Sequence, residues 1–367
     1  MSALRILHTE SSLGWGGQEI RVLTEARGVA RRGHEVAIAA PPESRIYAEA
    51  PRYGVEALAL PIARKGLGGI RALRALIARR TFDVANTHSS TDTWIAALAR
   101  TALASAPTIV RTRHISAPVP RNLATRWLYR SATTRIVTTG ERLRKQVIEE
   151  TGIDGARVVS IPTGIDLERF RPGDRAGARA ALGLPHDRRI VGIVATLRSW
   201  KGHRYLLQAV SDLKRSEVIL AVVGDGPQRE ALERLAGELG LGERIRFAGD
   251  QQDVAPWMQA FDLFCLPSYA NEGVPQALMQ AMACALPVVT TPVGSIDEIV
   301  TDGDNGVMVR PEDAQGLRAA LAALLDDESR RRQLGERALA TARARFGEAL
   351  MVDRMLTVFR EAAGSPA

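Results

Sequence analysis

The chain has little cysteine: two residues, Cys265 and Cys284, in 367. Two thiols build neither a disulfide framework nor a thiolate-rich metal site. Both stand in apolar surroundings, which suits a reducing cytosol. Long apolar runs are missing as well. No run approaches the ~20 residues of a membrane span, and the apolar part of residues 1–8 is too short for a secretion signal. A cytoplasmic protein is expected. The HExxH, GxSxG, Walker A and zinc-ligand spacings are absent, which argues against the chemistries they carry. Asp302-Gly303-Asp304-Asn305-Gly306 lacks the later Glu of a calcium loop and reads as a turn. No short repeat, low-complexity tract or long disordered tail is visible.

What is present is an ordinary globular composition, 46% hydrophobic and 25% charged, over a length that suits two domains. The net charge of +8 is unevenly placed. Residues 1–160 hold 24 Lys and Arg against 13 Asp and Glu, and residues 161–367 hold 25 against 28. A basic first half fits nucleic acid, an anionic membrane surface or an anionic substrate. It also fits arginine that merely solubilises an alanine-rich chain.

Short β-branched runs alternate with helix-period stretches throughout. Strands are expected at 4–8, 35–40, 55–61, 82–88, 108–113, 135–139 and 157–162, with helices at 18–32, 69–80 and 141–151 among those between. Residues 163–173 carry Gly and Pro punctuation without period and read as a linker. A second series follows, with strands at 190–197, 218–224, 245–249, 263–267, 287–290 and 306–309. Strand–helix alternation predicts parallel sheets covered on both faces. The expectation is therefore α/β, with two Rossmann-like domains, 1–165 and 166–345, whose sheets face an interdomain cleft. Ligands of such sheets bind outside the carboxyl ends of the strands.

The chemistry-bearing candidates cluster at those ends. Gly14-Trp15-Gly16-Gly17-Gln18-Glu19 follows the first strand and opens a helix, where Gly16 and Gly17 let a ligand approach the backbone and the helix N-terminus favours an anion. Glu19 at the third glycine position breaks the dinucleotide fingerprint, and a plain tight turn is the alternative. Arg198 and Lys201 follow the first strand of the second domain, where two cations would neutralise a diphosphate. Gly224-Asp225-Gly226-Pro227 repeats the theme. Glu272-Gly273-Val274-Pro275 precedes the helix 276–285, which carries Gln280. His88 and His114 close two strands of the first domain. A lone strand-end histidine is more often structural, but two facing one cleft favour function, His114 more strongly. Finally, residues 64–80 hold six cations and no acid, with Leu67, Ile70, Leu73, Leu76 and Ile77 at helical spacing. That stripe is first of all a face for the sheet, and a basic helix of this kind also suits an anionic leaflet.

Taken in order, these motifs resemble the family-4 retaining glycosyltransferases of the GT-B fold over nearly the whole chain. The loop 14–17 is similar to the family's glycine loop. Ile161-Pro162-Thr163-Gly164-Ile165-Asp166 is similar to its interdomain segment, Leu197-Arg198 with Lys201-Gly202 to its donor-phosphate Arg and Lys, and residues 224–227 to its GDGP turn. Glu272-Gly273 resembles the start of its E-x7-E signature. Two positions depart: Gln280 replaces the second Glu, and Thr163 replaces the linker Asn. The closing segment, 346–367, is expected to pack back toward the first domain.

The resemblance implies transfer of a sugar from a nucleoside diphosphate, with UDP favoured, to an acceptor hydroxyl with retention at the anomeric carbon. Arg198 and Lys201 would then stabilise the leaving diphosphate, and Glu272 would hold sugar hydroxyls assisted by the amides of Gly273 and Val274. Pro275, Gly16, Gly17, Gly224 and Gln280 would complete the donor site. His114 would bond a sugar hydroxyl from the other domain, with His88 on the acceptor side. No metal or other cofactor is expected, because the two cations and a helix terminus do that work. The stretches 14–19, 88–94 and 111–116 look like bacterial enzymes of lipopolysaccharide core or related surface glycans. Such a match implies a saccharide or lipid-linked acceptor, an enzyme peripheral on the inner face of the cytoplasmic membrane, and no nucleic acid. Two rival readings stay open: a catalytically weak sugar-nucleotide-binding protein, motivated by Gln280, and a non-hydrolysing sugar-nucleotide 2-epimerase, which shares the fold.

Overall fold

A computed structural model describes residues 3–101, 103–115 and 117–364. The chain forms two compact units. One contains the chain up to Gly164 together with the stretch from Glu348 onward, and the other runs from Ile165 to Gly347.

The first unit is built on a seven-stranded sheet of β1 (Arg5–Thr9), β2 (Glu35–Ala40), β3 (Glu56–Ala59), β4 (Val84–Thr87), β5 (Thr108–Arg113), β6 (Arg135–Thr138) and β7 (Val158–Ser160), in the order β3-β2-β1-β4-β5-β6-β7. Every pairing is parallel. Its strands β4 and β5 are buried almost end to end, their polar side chains Asn86, Thr87, Arg111, Thr112 and Arg113 included. On one face, helix Gly17–Ala30 packs with helix Glu348–Ala363. Gly28 permits this approach, since a Cβ there would lie 2.4 Å from a Val352 methyl. On the other face lie helices Leu67–Arg79 and Ser90–Ala99. In the first of these, Leu73 and Ile77 are buried, and Ile70 and Leu76 pack against the same core. The apolar stripe of residues 67–77 is thus used by the sheet, and Leu67 alone of the five is exposed.

The second unit has a six-stranded parallel sheet of β8 (Arg189–Val194), β9 (Val218–Val223), β10 (Ile245–Gly249), β11 (Leu263–Leu266), β12 (Val288–Thr290) and β13 (Val307–Met308), in the order β10-β9-β8-β11-β12-β13. Gly192 in mid-strand makes room for the Phe261 ring, 2.1 Å from where its Cβ would be. Strands β3, β7 and β11 end one or two residues short of the expected bounds, at Pro61, Pro162 and Pro267, which supply no N–H to the ladder. The helix expected at 276–285 stops at Ala283, and Ala285 takes the left-handed conformation, φ +57°. In the segment 302–306, Asp302 and Asn305 accept bonds from the backbone N–H groups of Met308 and Thr301, as a turn does.

Candidate active site

In each sheet the strand order reverses once beside the first strand: between β1 and β4, and between β8 and β11. Such a switch point opens a crevice at the carboxyl ends of the strands, where open α/β sheets take their ligands. The candidate residues gather at these two places.

In the second unit, the turn after β8 and the loop after β11 are joined. Lys201 Nζ lies 2.6 Å from Glu272 Oε1, and Ser268 Oγ donates to the same oxygen at 2.5 Å. The Trp200 carbonyl accepts from the Tyr269 N–H at 2.8 Å. Gly202, φ +75°, lies so close to the Pro267 carbonyl that a Cβ would be 2.0 Å from its oxygen. Gly294, φ +65°, packs on the Glu272 carbonyl in the same way. Glu272 is 4% exposed, so its carboxylate is held against the Lys201 ammonium away from bulk water, where ionic contacts are screened little. Arg198 is exposed, with its guanidinium 5.6 Å from the Trp200 ring centroid. Gly224, φ +133°, locks the turn after β9 onto this loop: its Cβ would meet the Ala195 carbonyl oxygen at 2.1 Å. The Gly273 carbonyl accepts from the Ser295 N–H at 3.2 Å, while Val274 and Pro275 are buried at the entry to helix Gln276–Ala283. Gln280 is half-buried on that helix. Behind Lys201, His203 is buried with both ring nitrogens unpartnered among the described residues. Burial, and then the Lys201 charge, push its pKa down to about 3, so the ring is neutral.

In the first unit, three histidines form a chain across three strand ends. His8 Nδ1 and His88 Nε2 are 3.0 Å apart, as are His88 Nδ1 and His114 Nε2. His8 and His88 stack with ring centroids 5.3 Å apart. Burial pushes all three pKa values down, that of His8 to about 3, so the chain is neutral. Asp92 anchors it. The Thr9 hydroxyl and the His88 N–H donate to Asp92 Oδ2 at 2.8 Å each, and the Ser89 N–H and hydroxyl donate to Oδ1. The structure thus brings His88 and His114 together and adds His8. The signal for His8 lay in the sequence, since the first strand also closes on a histidine.

Glu10 belongs to none of the sequence motifs. It is fully buried directly after β1, accepting from the Ser12 N–H at 2.9 Å and Gln18 Nε2 at 2.6 Å. Burial, and then the nearby Asp92 charge, raise its pKa to about 8. These bonds fix the loop that carries Gly16 and Gly17 to helix Gly17–Ala30. Gly16 has φ −177°, and the nearest atom to an added Cβ there would be 3.8 Å away. Thr163 also has a partner: the fully buried Arg21 donates to its hydroxyl at 3.2 Å and to the Ile161 carbonyl at 2.8 Å. Among the described residues there is no cluster of three or more His, Cys, Asp or Glu placed to hold a metal ion, and no helix is long and apolar enough to cross a membrane.

Residues 15–169 match the family described as Glycosyltransferase Family 4, and residues 174–341 match Glycosyl transferases group 1. A D-inositol 3-phosphate glycosyltransferase of Mycobacterium bovis is 31% identical over 95% of this chain and 79% of that protein. D-inositol 3-phosphate glycosyltransferase 2 of Catenulispora acidiphila is 35% identical over 59% of this chain. The chain spans about half, 53%, of the length of that relative. Among solved structures, Anabaena HepE in complex with UDP-glucose superposes with a TM-score of 0.86 at 19% identity, covering 98% of this chain and 100% of that one.

Proposed function

Because this chain belongs to the glycosyltransferases of family 4 and group 1, and its two parallel sheets are those of the GT-B fold, we propose that it moves a sugar from a UDP-sugar to a hydroxyl of an anionic acceptor, with retention. The observation that carries this reading is the Lys201–Glu272 pair at the β8/β11 switch point.

Breaking the bond between sugar and diphosphate puts growing negative charge on the leaving group. Fixed cations and dipoles stabilise that charge without reorganising during the reaction. Lys201 and the exposed Arg198 supply cations beside the helix that follows β8, so the leaving group departs without a metal ion. Glu272 orients the Lys201 ammonium and holds the sugar hydroxyls, with Gly273, Val274, Pro275 and Gln280 around the donor. His114 offers a neutral ring for a sugar hydroxyl, and His88 fixes that ring through its Nδ1. Transfer runs by same-face attack, the mechanism of the family the motifs resemble. The relatives named above act on inositol 3-phosphate, a phosphorylated polyol. A phosphorylated saccharide or lipid-linked acceptor of surface glycan synthesis, lipopolysaccharide included, fits the cation excess of residues 1–160. The enzyme would meet it at the inner face of the cytoplasmic membrane.

A thermal-shift panel of nucleoside diphosphates and nucleotide sugars, run in EDTA, tests the reading. UDP at a hundred times its Kd adds roughly 2.7 kcal/mol of stability, and Arg198→Ala reduces that gain while leaving the unliganded melting point unchanged. Turnover in Arg198→Ala and Lys201→Ala falls on the order of a hundredfold. Indifference to every nucleotide, wild-type turnover in both variants, or activity that EDTA abolishes and Mg²⁺ restores would each refute it.

A further inference from the structure

The first unit exposes large apolar side chains at a place the proposed chemistry does not use. Trp94 and Trp127 stack with ring centroids 5.9 Å apart. Lys65 Nζ lies 5.6 Å from the Trp94 ring. Leu67, two residues on, is 68% exposed, Leu123 is 82% exposed and Trp127 is 42% exposed. Leu123 and Trp127 occupy the same face of the short helix Leu123–Trp127. Leu98, also exposed, stands one turn after Trp94 on helix Ser90–Ala99. Single exposed leucines need no explanation, but an adjoining group of leucines and tryptophans marks an interaction surface.

The charge around this group is of one sign. Between residues 57 and 140 there are 13 Lys and Arg and two acids, Asp83 and Asp92. Asp92 is buried beneath the histidine chain, and Asp83 accepts from the Arg5 N–H. Arg64, Lys65, Arg71, Arg121, Arg126 and Arg130 are exposed. Beside Trp127 lies an open depression of about 500 Å³ with Arg126, Arg130 and Arg157 in its wall and Asp154 as its one acid. Tryptophan and leucine among cations is the composition that settles at the boundary between headgroups and acyl chains. A protein partner of matching acidity is the competing occupant, and failure to bind phosphatidylglycerol vesicles would point to it.

We propose that this surface, Leu67, Trp94, Leu98, Leu123 and Trp127 within their ring of arginines, docks the protein on an anionic lipid leaflet. The helix that carries Trp94 and Leu98 begins at the Ser89/Asp92 cap and so leads directly to His88 and His114. A docked surface therefore presents the histidine chain to a headgroup-borne acceptor. This deepens the reading of a lipid-linked acceptor and rests on it. The docking element is not the apolar stripe of helix Leu67–Arg79, which the sheet consumes.

The test is cosedimentation with phosphatidylglycerol vesicles against phosphatidylcholine vesicles, at low and high salt, with the UDP thermal shift measured on the same samples. The wild type is expected to bind phosphatidylglycerol at least fivefold better, and high salt, which shortens the Debye length to about 3 Å at 1 M, releases it. Leu123→Ser/Trp127→Ser and, separately, Leu67→Glu are expected to lose most of that binding and to keep the UDP shift. Equal binding to both vesicles, binding to neither, variants that bind as the wild type does, or a wild-type dimer that the double variant dissolves would overturn the proposal. A missing UDP shift in wild-type protein that still binds vesicles would instead overturn the glycosyl-transfer reading.

Discussion

At the scale of the residue, the least expected group is Glu10. A carboxyl buried beside Asp92, with a pKa of about 8, is protonated at neutral pH. The Gln18 Nε2 and Ser12 N–H donors favour the charged form, and burial together with the Asp92 charge outweighs them. The pH dependence follows. Unfolded, the group titrates near 4.5; folded, near 8. From pH 4.5 to 8 the folded state keeps a proton that the unfolded state gives up. Glu10 therefore costs stability progressively across that window, at up to about 1.4 kcal/mol per pH unit. Glu10→Gln removes the titration. Urea unfolding of both proteins from pH 5 to 8 is expected to show the variant gaining on the wild type as pH rises. A difference that does not change with pH would mean that Glu10 is ionised throughout. His8 behaves oppositely: its depressed pKa costs stability as pH falls below 6.5 toward 3. The comparison is thus cleanest on the alkaline side.

Glycine shows, at the scale of the element, why some of the site was legible in the sequence and some was not. Gly16 and Gly224 look alike as letters, each in a glycine-rich turn after a strand. Gly224 is demanded by the protein itself, through φ +133° and the Ala195 carbonyl. Gly16 is demanded by nothing the chain supplies, having an extended φ and, at its Cβ, only an ordinary van der Waals contact with Glu19 Oε2 at 3.8 Å. If Gly16 is glycine for a ligand's sake, Gly16→Ala folds with stability within about 0.5 kcal/mol of wild type but binds its substrate more weakly. Gly224→Ala destabilises by more than 1 kcal/mol, because both strain and a backbone clash must be relieved. Denaturant midpoints together with substrate KM separate the cases, and a large loss of stability in Gly16→Ala would make that glycine structural. The strand-end positions of Arg198, Lys201, Glu272, His88 and His114 could be read because strand-then-helix punctuation is local. The chain from His8 through His88 to His114 could not, because it depends on β4 lying between β1 and β5. Nor does the amphipathic spacing of residues 67–77 say whether sheet or lipid covers the stripe.

For the whole molecule, the tandem α/β character was written in the alternation of β-branched runs with helix-period stretches. The discontinuity of the first unit is less local. Helix Glu348–Ala363 carries an apolar stripe that must be covered by something, but its composition does not say by what. In the structure Met351, Val352, Met355, Leu356 and Phe359 join the core of the first unit, and Arg27 and Arg32 pair with Glu348 and Asp353. Full burial of one large apolar side chain stabilises by about 1.5–3 kcal/mol. Five of them approach the 5–15 kcal/mol that holds an entire domain. The exposed ion pair of Arg32 with Asp353 adds little to this. A chain ending at Gly347 is therefore expected to lose the first unit while the second, whose core lies within residues 165–347, stays folded. Calorimetry of the truncated protein should show a single remaining transition that UDP still raises. Retention of both transitions would mean that the last helix is dispensable to the first unit's core. Loss of the UDP-sensitive transition would mean that the donor unit does not stand on its own core.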